Sequence, residues 1–328
     1  MPNVYEPFYS TQGGKAYLGD SLDVMRSLED ESVSLIVTSP PFPLTFQKKK
    51  PYEAVGIERY VDWFLEFGNQ FRRVLKGDGS FVIDIGGVWN KGTPTRSLYQ
   101  CHLLLGLCEK VGFYFAQDFY WYNPGALPAP AEWVNVRRIR VKAAVNLVWW
   151  LSKTPWPKAN NRNVLKEYSP DMVRLLKRGY RAKNRPSGHS ITHKFGKDQG
   201  GAIPPNLLEF GNNDSNGVYL KKCNAERLRI HPARFPRALP DFFIRLCTES
   251  NDLVLDPFAG SNVTGEAAEK LGRRWIAIEL IREYLEGSRF RFDDVPTSVH
   301  ESTRRLHTRG SHNQRRAQKR DRRPHRYT

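Results

Sequence analysis

Asp256-Pro257-Phe258-Ala259-Gly260-Ser261-Asn262-Val263-Thr264-Gly265 joins an apolar run at 252–256, which predicts a buried strand, to a helical pattern over 262–271. The glycines at 260 and 265 allow the backbone to turn tightly and to approach a ligand closely. The next apolar run, 275–280, predicts a second strand that carries Glu279 near its end. A strand, a glycine-containing turn, a helix and a second strand in this order predict part of an α/β sheet.

Two acids limit the ligands that this turn can hold. Glu279 is placed as an acid that holds ribose hydroxyls in nucleoside-binding α/β folds. Ser261 and Asn262 depart from the pattern G-x-G-x-x-G, which disfavours a pyrophosphate cradle and therefore a nicotinamide dehydrogenase. Asp256 would repel a phosphate but attract an ammonium group. A nucleoside with an amino-acid tail, such as S-adenosylmethionine, satisfies both conditions; a strand-turn-helix without a ligand is the alternative.

A second motif, Thr38-Ser39-Pro40-Pro41-Phe42, follows the apolar run 33–37, which predicts another buried strand. Two prolines cannot continue a ladder of hydrogen bonds, so the backbone turns stiffly. The turn places a hydroxyl, a carbonyl and an aromatic ring at the carboxyl end of a strand, where α/β sheets bind ligands. These groups could hold an exocyclic amine and stack on a planar base. The alternative is a Pro-Pro turn without chemistry.

The remaining pattern alternates strand and helix through the first 150 residues, which favours a parallel α/β sheet. We expect further strands at 17–20, 80–85, 113–122 and 143–151, and helices at 21–28, capped by Ser21, and at 98–111. The aromatic stripe Tyr60, Phe64, Phe67 and Phe71 has helical spacing and predicts a helix that ends before Gly77 and packs on the core. We also expect a helix at 239–247, before the strand at 252–256.

The charge favours a polyanionic partner. The formal net charge is +17 at pH 7, and residues 304–326 contribute ten basic side chains against Asp321. The body therefore stays basic without its tail, which favours nucleic acid. The tail is either a disordered solubilising extension or a nonspecific phosphate-binding arm.

Several other classes of protein are disfavoured. No apolar run reaches the roughly 18 residues that a membrane span needs, and the start lacks a secretory signal. The cysteines, Cys101, Cys108, Cys223 and Cys247, lack CxxC spacing, so we expect neither a zinc site nor a disulfide scaffold. This composition is consistent with a reducing cytoplasm.

Residues 155–223 differ in character, being rich in Pro, Gly, Asn, Lys and Arg with little periodicity. Because a structureless loop of this length is uncommon in a compact domain, we interpret it as an inserted, specialised module.

The ordered motifs resemble the β-group of amino-methyltransferases that act on DNA. The resemblance runs from about residue 17 to residue 292 and rests on 19–21, 38–42, 79–84, 119–124, 231–236 and the Asp256 segment. It implies an S-adenosylmethionine-dependent, Rossmann-like α/β fold with a mixed, mostly parallel sheet. It divides the chain into a catalytic half (1–154), a target-recognition insertion (155–228), a cofactor-binding half of the same domain (229–295) and a basic tail (296–328).

The resemblance also implies roles for individual residues. The base-binding set is Ser39, Pro40, Pro41 and Phe42. The cofactor-binding set is Asp20, Thr38, Asp256, Phe258, Gly260, Ser261, Asn262 and Glu279. The residues expected to contact DNA are Arg185, His189, Lys194 and Lys197. No metal is implied.

The family resemblance predicts methyl transfer to the exocyclic N4 amine of a cytosine flipped out of duplex DNA. Asp is the usual residue at the position of Ser39 in adenine enzymes, so Ser39 favours cytosine. Adenine-N6 methylation, RNA methylation and a noncatalytic DNA-binding protein remain alternatives. The expected partners are double-stranded DNA and, genetically, a restriction endonuclease of a type II system; the expected state is a cytoplasmic monomer.

Overall fold

The computed structural model describes residues 5–43, 56–179, 196–212 and 217–293, all within one compact unit that spans 1–295. The predicted basic tail, 296–328, lies outside the described residues. The strands are β1 (Tyr9–Ser10), β2 (Gly14–Leu18), β3 (Val33–Thr38), β4 (Leu75–Ile85), β5 (Tyr114–Tyr122), β6 (Val145–Ser152), β7 (Leu207–Glu209), β8 (Leu253–Asp256) and β9 (Arg274–Glu279). The helices are α1 (Ser21–Arg26), α2 (Ile57–Val74), α3 (Tyr99–Leu105), α4 (Pro170–Arg178), α5 (Val218–Ala225), α6 (Ala238–Cys247), α7 (Val263–Lys270) and α8 (Arg282–Ser288).

The strands form one sheet in the order β1-β2-β9-β8-β3-β4-β6-β5-β7. Strands β1 and β6 run against the other seven. The prediction of a mixed, mostly parallel α/β sheet is therefore confirmed. The alternation of strand and helix in the first 150 residues favours parallel strands, and β6 is the exception there, since it lies antiparallel between β4 and β5. The apolar run of β6 is buried in either direction, so its sequence does not encode its direction.

The register aligns the functional turns along one edge of the sheet. Thr38 pairs with Ile83, Leu255 with Ile36, and Leu18 with Glu279. The ends of β2, β3, β4, β8 and β9 therefore meet at this edge, which we call the carboxyl edge. The end of β5 and the start of β6 join it, because Tyr122 pairs with Val145.

Apolar side chains cover both faces of the sheet. On one face, the aromatic stripe of α2 packs against Phe81 and Phe258, and its four predicted rings are at most 3% exposed. On the other face, α6 and α7 pack around Trp275 and Leu35. The core role predicted for the α2 stripe is confirmed.

Some element boundaries differ from the sequence pattern. Asp20, rather than Ser21, caps α1 by accepting hydrogen bonds from the backbone amides of Leu22 and Asp23. Ser21 instead donates to the carbonyl of Pro257 at 2.5 Å. Strand β4 begins at Leu75 and takes in Gly77, where the sequence suggested a turn.

The range 155–228 is partly integrated into the sheet and its flanking helices. Strand β7 pairs with β5, and α5 packs against α8. Residues 180–195 and 213–216 of this range lie outside the described residues.

Asp252 precedes β8 at the edge opposite the carboxyl edge and is the centre of a hydrogen-bond network that stabilises the fold. Its carboxylate accepts hydrogen bonds from Ser34, Lys158 and the amide of Glu249, and its side chain is 11% exposed. Burial acts to raise its pKa, but these bonds prevail and hold the pKa at about 2. Because the unfolded pKa is near 3.8, the ionised network stabilises fully above about pH 4 and loses this effect as pH falls toward 2.

Asp252→Asn should therefore lower the free energy of unfolding by about 2 kcal/mol at pH 7. Urea unfolding at several pH values checks this, with Asp62→Asn at an exposed position of α2 as the control. A difference from wild type that stays constant between pH 7 and pH 3 would contradict the assignment.

Candidate functional site

The loop 38–42 leaves β3 at the carboxyl edge. Thr38 and Pro40 are buried, whereas Ser39, Pro41 and Phe42 are partly exposed. The Ser39 hydroxyl donates to Oδ2 of Asp84 at 3.1 Å. This bond uses the hydroxyl hydrogen and leaves the oxygen lone pairs of Ser39 free to accept a hydrogen from a ligand.

Asp84, which sequence reasoning did not select as a site residue, is the buried acid of this loop. It is 4% exposed, and Asn146 of β6 donates to its other oxygen at 3.1 Å. Burial raises the pKa of Asp84 to about 6, while the hydrogen bonds from Asn146 and Ser39 act to lower it. The sequence does show an acid within the otherwise apolar strand 81–85, which could have marked Asp84 as a site residue. Its bond to Ser39, however, depends on the register between β3 and β4.

The Phe42 ring lies on the backbone that follows β4. A Cβ atom at Gly86 would come within 2.5 Å of this ring, so the close approach needs glycine. The hydroxyl of Tyr99 donates to the Gly86 carbonyl, and Gln100 donates to the Ile85 carbonyl at 2.7 Å. The backbone under the Phe42 ring is therefore fixed on its far side by α3.

Asp256 joins the two predicted motifs. Its Oδ1 accepts from the Thr38 hydroxyl at 2.7 Å and from the Phe258 amide at 3.1 Å. Its Oδ2 accepts from Thr264 at 2.6 Å. Burial raises its pKa to about 6, opposed by these hydrogen bonds. Asp256 and Thr38, both predicted to bind a cofactor, are thus bonded to each other and hold β3, β8 and α7 together.

Glu279 closes the glycine turn. Its carboxylate accepts from the amides of Gly260 and Ile281, at 2.8 and 2.9 Å. Burial raises its pKa, although it is not fully enclosed. Leu280 beside it is 55% exposed, an apolar surface at the carboxyl edge. A carboxylate next to an exposed apolar side chain fits a ligand that carries both hydroxyls and a planar ring.

Ser261 and Asn262 lie deeper than their predicted role as cofactor contacts suggests, at 2% and 0% exposed. Asn262 has left-handed backbone with φ of 55° and caps α7 by accepting from the Gly265 amide at 3.0 Å. The Ser261 hydroxyl accepts from Arg291 at 3.0 Å. In this structure both side chains shape the turn.

Asp20 and Phe258 remain accessible to a ligand. Asp20 is exposed and uses Oδ1 for its helix cap, and its Oδ2 accepts no hydrogen bond from the described residues. Phe258 is half-buried and packs against Phe67 with a centroid distance of 5.0 Å. Asp20, Phe258 and Glu279 could therefore hold a nucleoside whose ring, amine and hydroxyls face the carboxyl edge.

His231 backs the glycine turn. A Cβ at Gly260 would lie 3.0 Å from the His231 ring, and Gly260 has a φ of 53°. Burial lowers the pKa of His231 to about 4, so the ring is neutral at pH 7. The predicted segment 231–236 is thus packed against the cofactor motif, although 25 residues separate His231 from Asp256 in the chain.

Gly260→Ala should weaken S-adenosylmethionine binding at least tenfold, because the new methyl strains the backbone and displaces His231. Gly272→Ala is the matched control: its φ is 71°, but its Cβ would have no neighbour closer than 3.8 Å. Titration calorimetry on both variants measures the effect. Equal dissociation constants for the two variants would show that the close approach does not matter.

The predicted DNA-binding residues are only partly described. Lys197 is exposed, while Arg185, His189 and Lys194 lie outside the described residues. Within the described ranges, no group of three or more His, Cys, Asp or Glu side chains is arranged to hold a metal ion. Among the same residues, no helix has the length and apolar character needed to cross a membrane.

Known proteins share both the sequence and the architecture. A family model described as DNA methylase matches residues 33–290. The type II methyltransferase M.PvuII of Proteus hauseri is 52% identical over 292 residues, which cover 88% of this chain and 86% of the relative. The type II methyltransferase M.ScaI of Streptomyces caespitosus is 29% identical over 285 residues, which cover 86% of this chain and 82% of the relative.

The solved structures agree. The PvuII DNA methyltransferase, described as cytosine-N4-specific, matches with a TM-score of 0.72 and 46% identity over 90% of this chain and 91% of its own. A complex of M1.HpyAVI with S-adenosylmethionine shares the fold, with a TM-score of 0.52, 18% identity, and coverage of 85% of this chain and 99% of that one. Family model, relatives and motifs agree, and the chain belongs to the DNA methylase family.

Proposed function

We propose that this chain transfers a methyl group from S-adenosylmethionine to the exocyclic N4 amine of a cytosine flipped out of duplex DNA, as the modification enzyme of a type II restriction-modification system. The observation that carries this proposal is the hydrogen bond between Thr38 and Asp256. It fixes the first residue of the base-binding loop to the first residue of the cofactor turn. The two ligands would therefore meet at one point of the carboxyl edge.

The cofactor turn supports a nucleoside with an amino-acid tail. Glu279 would hold the ribose hydroxyls, Asp20 the adenine amine, and Phe258 the face of the ring. Gly260 would bring the backbone close to the ligand, and Asp256, Thr38, Ser261 and Asn262 would position this turn. When bound, S-adenosylmethionine supplies an electrophilic methyl group on a sulfonium.

The base-binding loop supports an amine as the acceptor. Phe42 would stack on the flipped base. The lone pairs of Ser39 and the carbonyl of Pro40 would accept the two hydrogens of the amine. These bonds would orient the nitrogen lone pair for an in-line displacement that needs no covalent enzyme intermediate.

Asp84 supports the same step through Ser39. Because its carboxylate accepts the Ser39 hydroxyl hydrogen, that hydroxyl must present lone pairs to the amine. Methylation leaves the base nitrogen with one proton in excess. The Asp84 carboxylate, which is ionised above about pH 6, can receive that proton by way of the Ser39 hydroxyl.

Cytosine is favoured over adenine by Ser39 itself, since Asp is the usual residue there in adenine enzymes of this family. The cytosine-N4 specificity in the description of the PvuII enzyme supports the same choice. We further propose that the chain acts on the host's DNA as a cytoplasmic monomer without a stable endonuclease complex. Analytical sedimentation of the purified protein, with and without duplex DNA, measures its molecular mass and so tests whether it is a monomer.

Sequencing of genomic DNA from a host that expresses the chain tests the proposed function. The expected result is N4-methylcytosine at one short recurring sequence, absent from a host that carries an empty vector. Genomic DNA without any new modification would contradict the proposal.

A further inference from the structure

Two loops leave the carboxyl edge beside the base-binding loop. Residues 88–97 follow β4, the strand that carries Asp84, and residues 124–144 connect β5 to β6, the strand that carries Asn146. The first loop therefore begins close to Asp84, which bonds Ser39, and the second ends beside Asn146, which bonds Asp84. We call residues 88–97 and 124–144 together the basic wall.

The charge of the basic wall is one-sided. Its basic side chains are Lys91, Arg96, Arg137, Arg138, Arg140 and Lys142, and its one acid is Glu132. Glu132 pairs with Arg137 at 2.7 Å. Lys91, Arg138 and Lys142 are exposed and form no ion pair with the described residues. Their positive charges remain available to an anionic partner.

The two loops are tied into one structure. The first is a hairpin in which the Asn90 amide donates to the Thr95 carbonyl at 2.9 Å, and the Ser97 amide to the Val88 carbonyl at 2.9 Å. The second loop joins it where Nε of Arg140 donates to the Pro94 carbonyl at 3.1 Å. The wall is therefore held in shape before any partner binds.

Apolar side chains stand exposed among these cations. Leu127, Val136 and Val141 are 81%, 70% and 88% exposed. Lys142 donates to the Ala126 carbonyl at 3.1 Å but has no acidic partner among the described residues. A surface that combines such exposed cations with exposed apolar groups fits a partner that presents phosphates beside sugar and base edges. Duplex DNA has this chemistry, and proteins that deform DNA combine cationic side chains with apolar ones at the contact.

We propose that the basic wall binds the phosphates of the duplex that flank the flipped base, with Arg138 and Lys142 as its principal contacts. This inference rests on the proposed function, because a base reaches Ser39 only if the duplex lies along the carboxyl edge. The wall would hold the backbone while the cytosine turns out of the stack, a step that costs free energy because the base loses its stacking and pairing. The wall would contribute affinity rather than sequence choice.

The test compares two double variants that remove the same charge. Arg138→Ala with Lys142→Ala alters the wall, and Lys15→Ala with Lys110→Ala alters exposed lysines near the opposite edge, on β2 and before β5. The probe is a duplex that carries the sequence found methylated in the expressing host. Its dissociation constant is measured from 50 to 200 mM salt for wild type and both variants.

The wall variant should bind the duplex on the order of tenfold more weakly at low salt, and its salt slope should fall by about 2, near 0.9 for each lost phosphate contact. Its dissociation constant for S-adenosylmethionine should not change. Its preference for the methylated sequence over a duplex with one altered base pair should also stay as in wild type. Arg138→Lys should retain most of the affinity, since it keeps the charge.

A wall variant whose affinity and salt slope match wild type, or a control variant with the same loss, would overturn the inference. A changed sequence preference would show that the wall reads bases and would also overturn it. Failure of the proposed function is a different result, because the wild-type chain would then methylate no duplex.

Discussion

Ser39→Ala is expected to lower kcat on duplex DNA by about 100- to 1000-fold, the range seen when one preorganised hydrogen-bonding group is removed from a transition state. The alanine cannot accept a hydrogen from the target amine, so the nitrogen lone pair is no longer oriented. The packing should change little, because Ser39 is partly exposed and its one described side-chain bond is to Asp84.

The dissociation constant for S-adenosylmethionine should stay within about twofold of wild type, since the one side-chain hydrogen bond of Ser39 to the described residues goes to Asp84 and not to the glycine turn. Single-turnover methylation and titration calorimetry separate the two quantities. Ser10→Ala, at an exposed position of β1, is the matched control and should leave kcat unchanged. If the kcat of Ser39→Ala stays within a few-fold of the wild-type value, Ser39 does not orient the target amine.

The second large effect concerns Asp84, a positioning residue that acts through Ser39. Asp84→Ala should lower kcat about 10- to 100-fold, because it frees the hydroxyl hydrogen and leaves Asn146 without its partner. Asp84→Asn keeps the volume and can still accept from Ser39, but it cannot take up a proton. It should therefore retain more activity than alanine near neutral pH.

The pH dependence distinguishes positioning from simple packing. Because burial raises the pKa of Asp84 to about 6, the carboxyl is ionised at pH 7 and protonated at pH 5. Wild-type kcat should fall as pH drops through about 6, and this acid limb should be absent in Asp84→Asn. An unchanged acid limb in Asp84→Asn would assign that titration to another group.

The raised pKa of Asp84 affects stability and activity in opposite directions: as pH falls, kcat should decrease while the free energy of unfolding should increase. A carboxyl whose folded pKa exceeds its unfolded value of about 3.8 contributes more to stability as pH falls from 6 to 4. Asp84→Asn, which removes the buried charge, should be at least as stable as wild type at pH 7. Its advantage should shrink toward pH 4, as measured by urea unfolding.

The sequence predicted those parts of the fold and site that local pattern specifies. Local pattern is clear where a periodic run of apolar residues is ended by proline or glycine, as in the α2 stripe, the buried run 33–37 and the turn after β8. These segments predicted the helix, the strands and the edge of the sheet at which the strands end. The prediction of a methyltransferase needed the order of several motifs along the chain as well.

The parts that the sequence did not predict depend on contacts between distant residues. The direction of β6 follows from pairing with β4 and β5, and both directions bury the same side chains. Asp84 gains its place through the pairing of Thr38 with Ile83. The side chain of Asn262 caps α7 from a left-handed backbone, a conformation that the pattern of the sequence does not specify.

The most direct test of methyl transfer to cytosine at Ser39 is mass spectrometry of nucleosides from duplex DNA incubated with the purified chain and methyl-deuterated S-adenosylmethionine. Deuterated N4-methylcytosine is the expected methylated nucleoside, formed at a rate that falls at least 100-fold in Ser39→Ala. Deuterated N6-methyladenine as the sole product, or label that enters RNA but not duplex DNA, would contradict it.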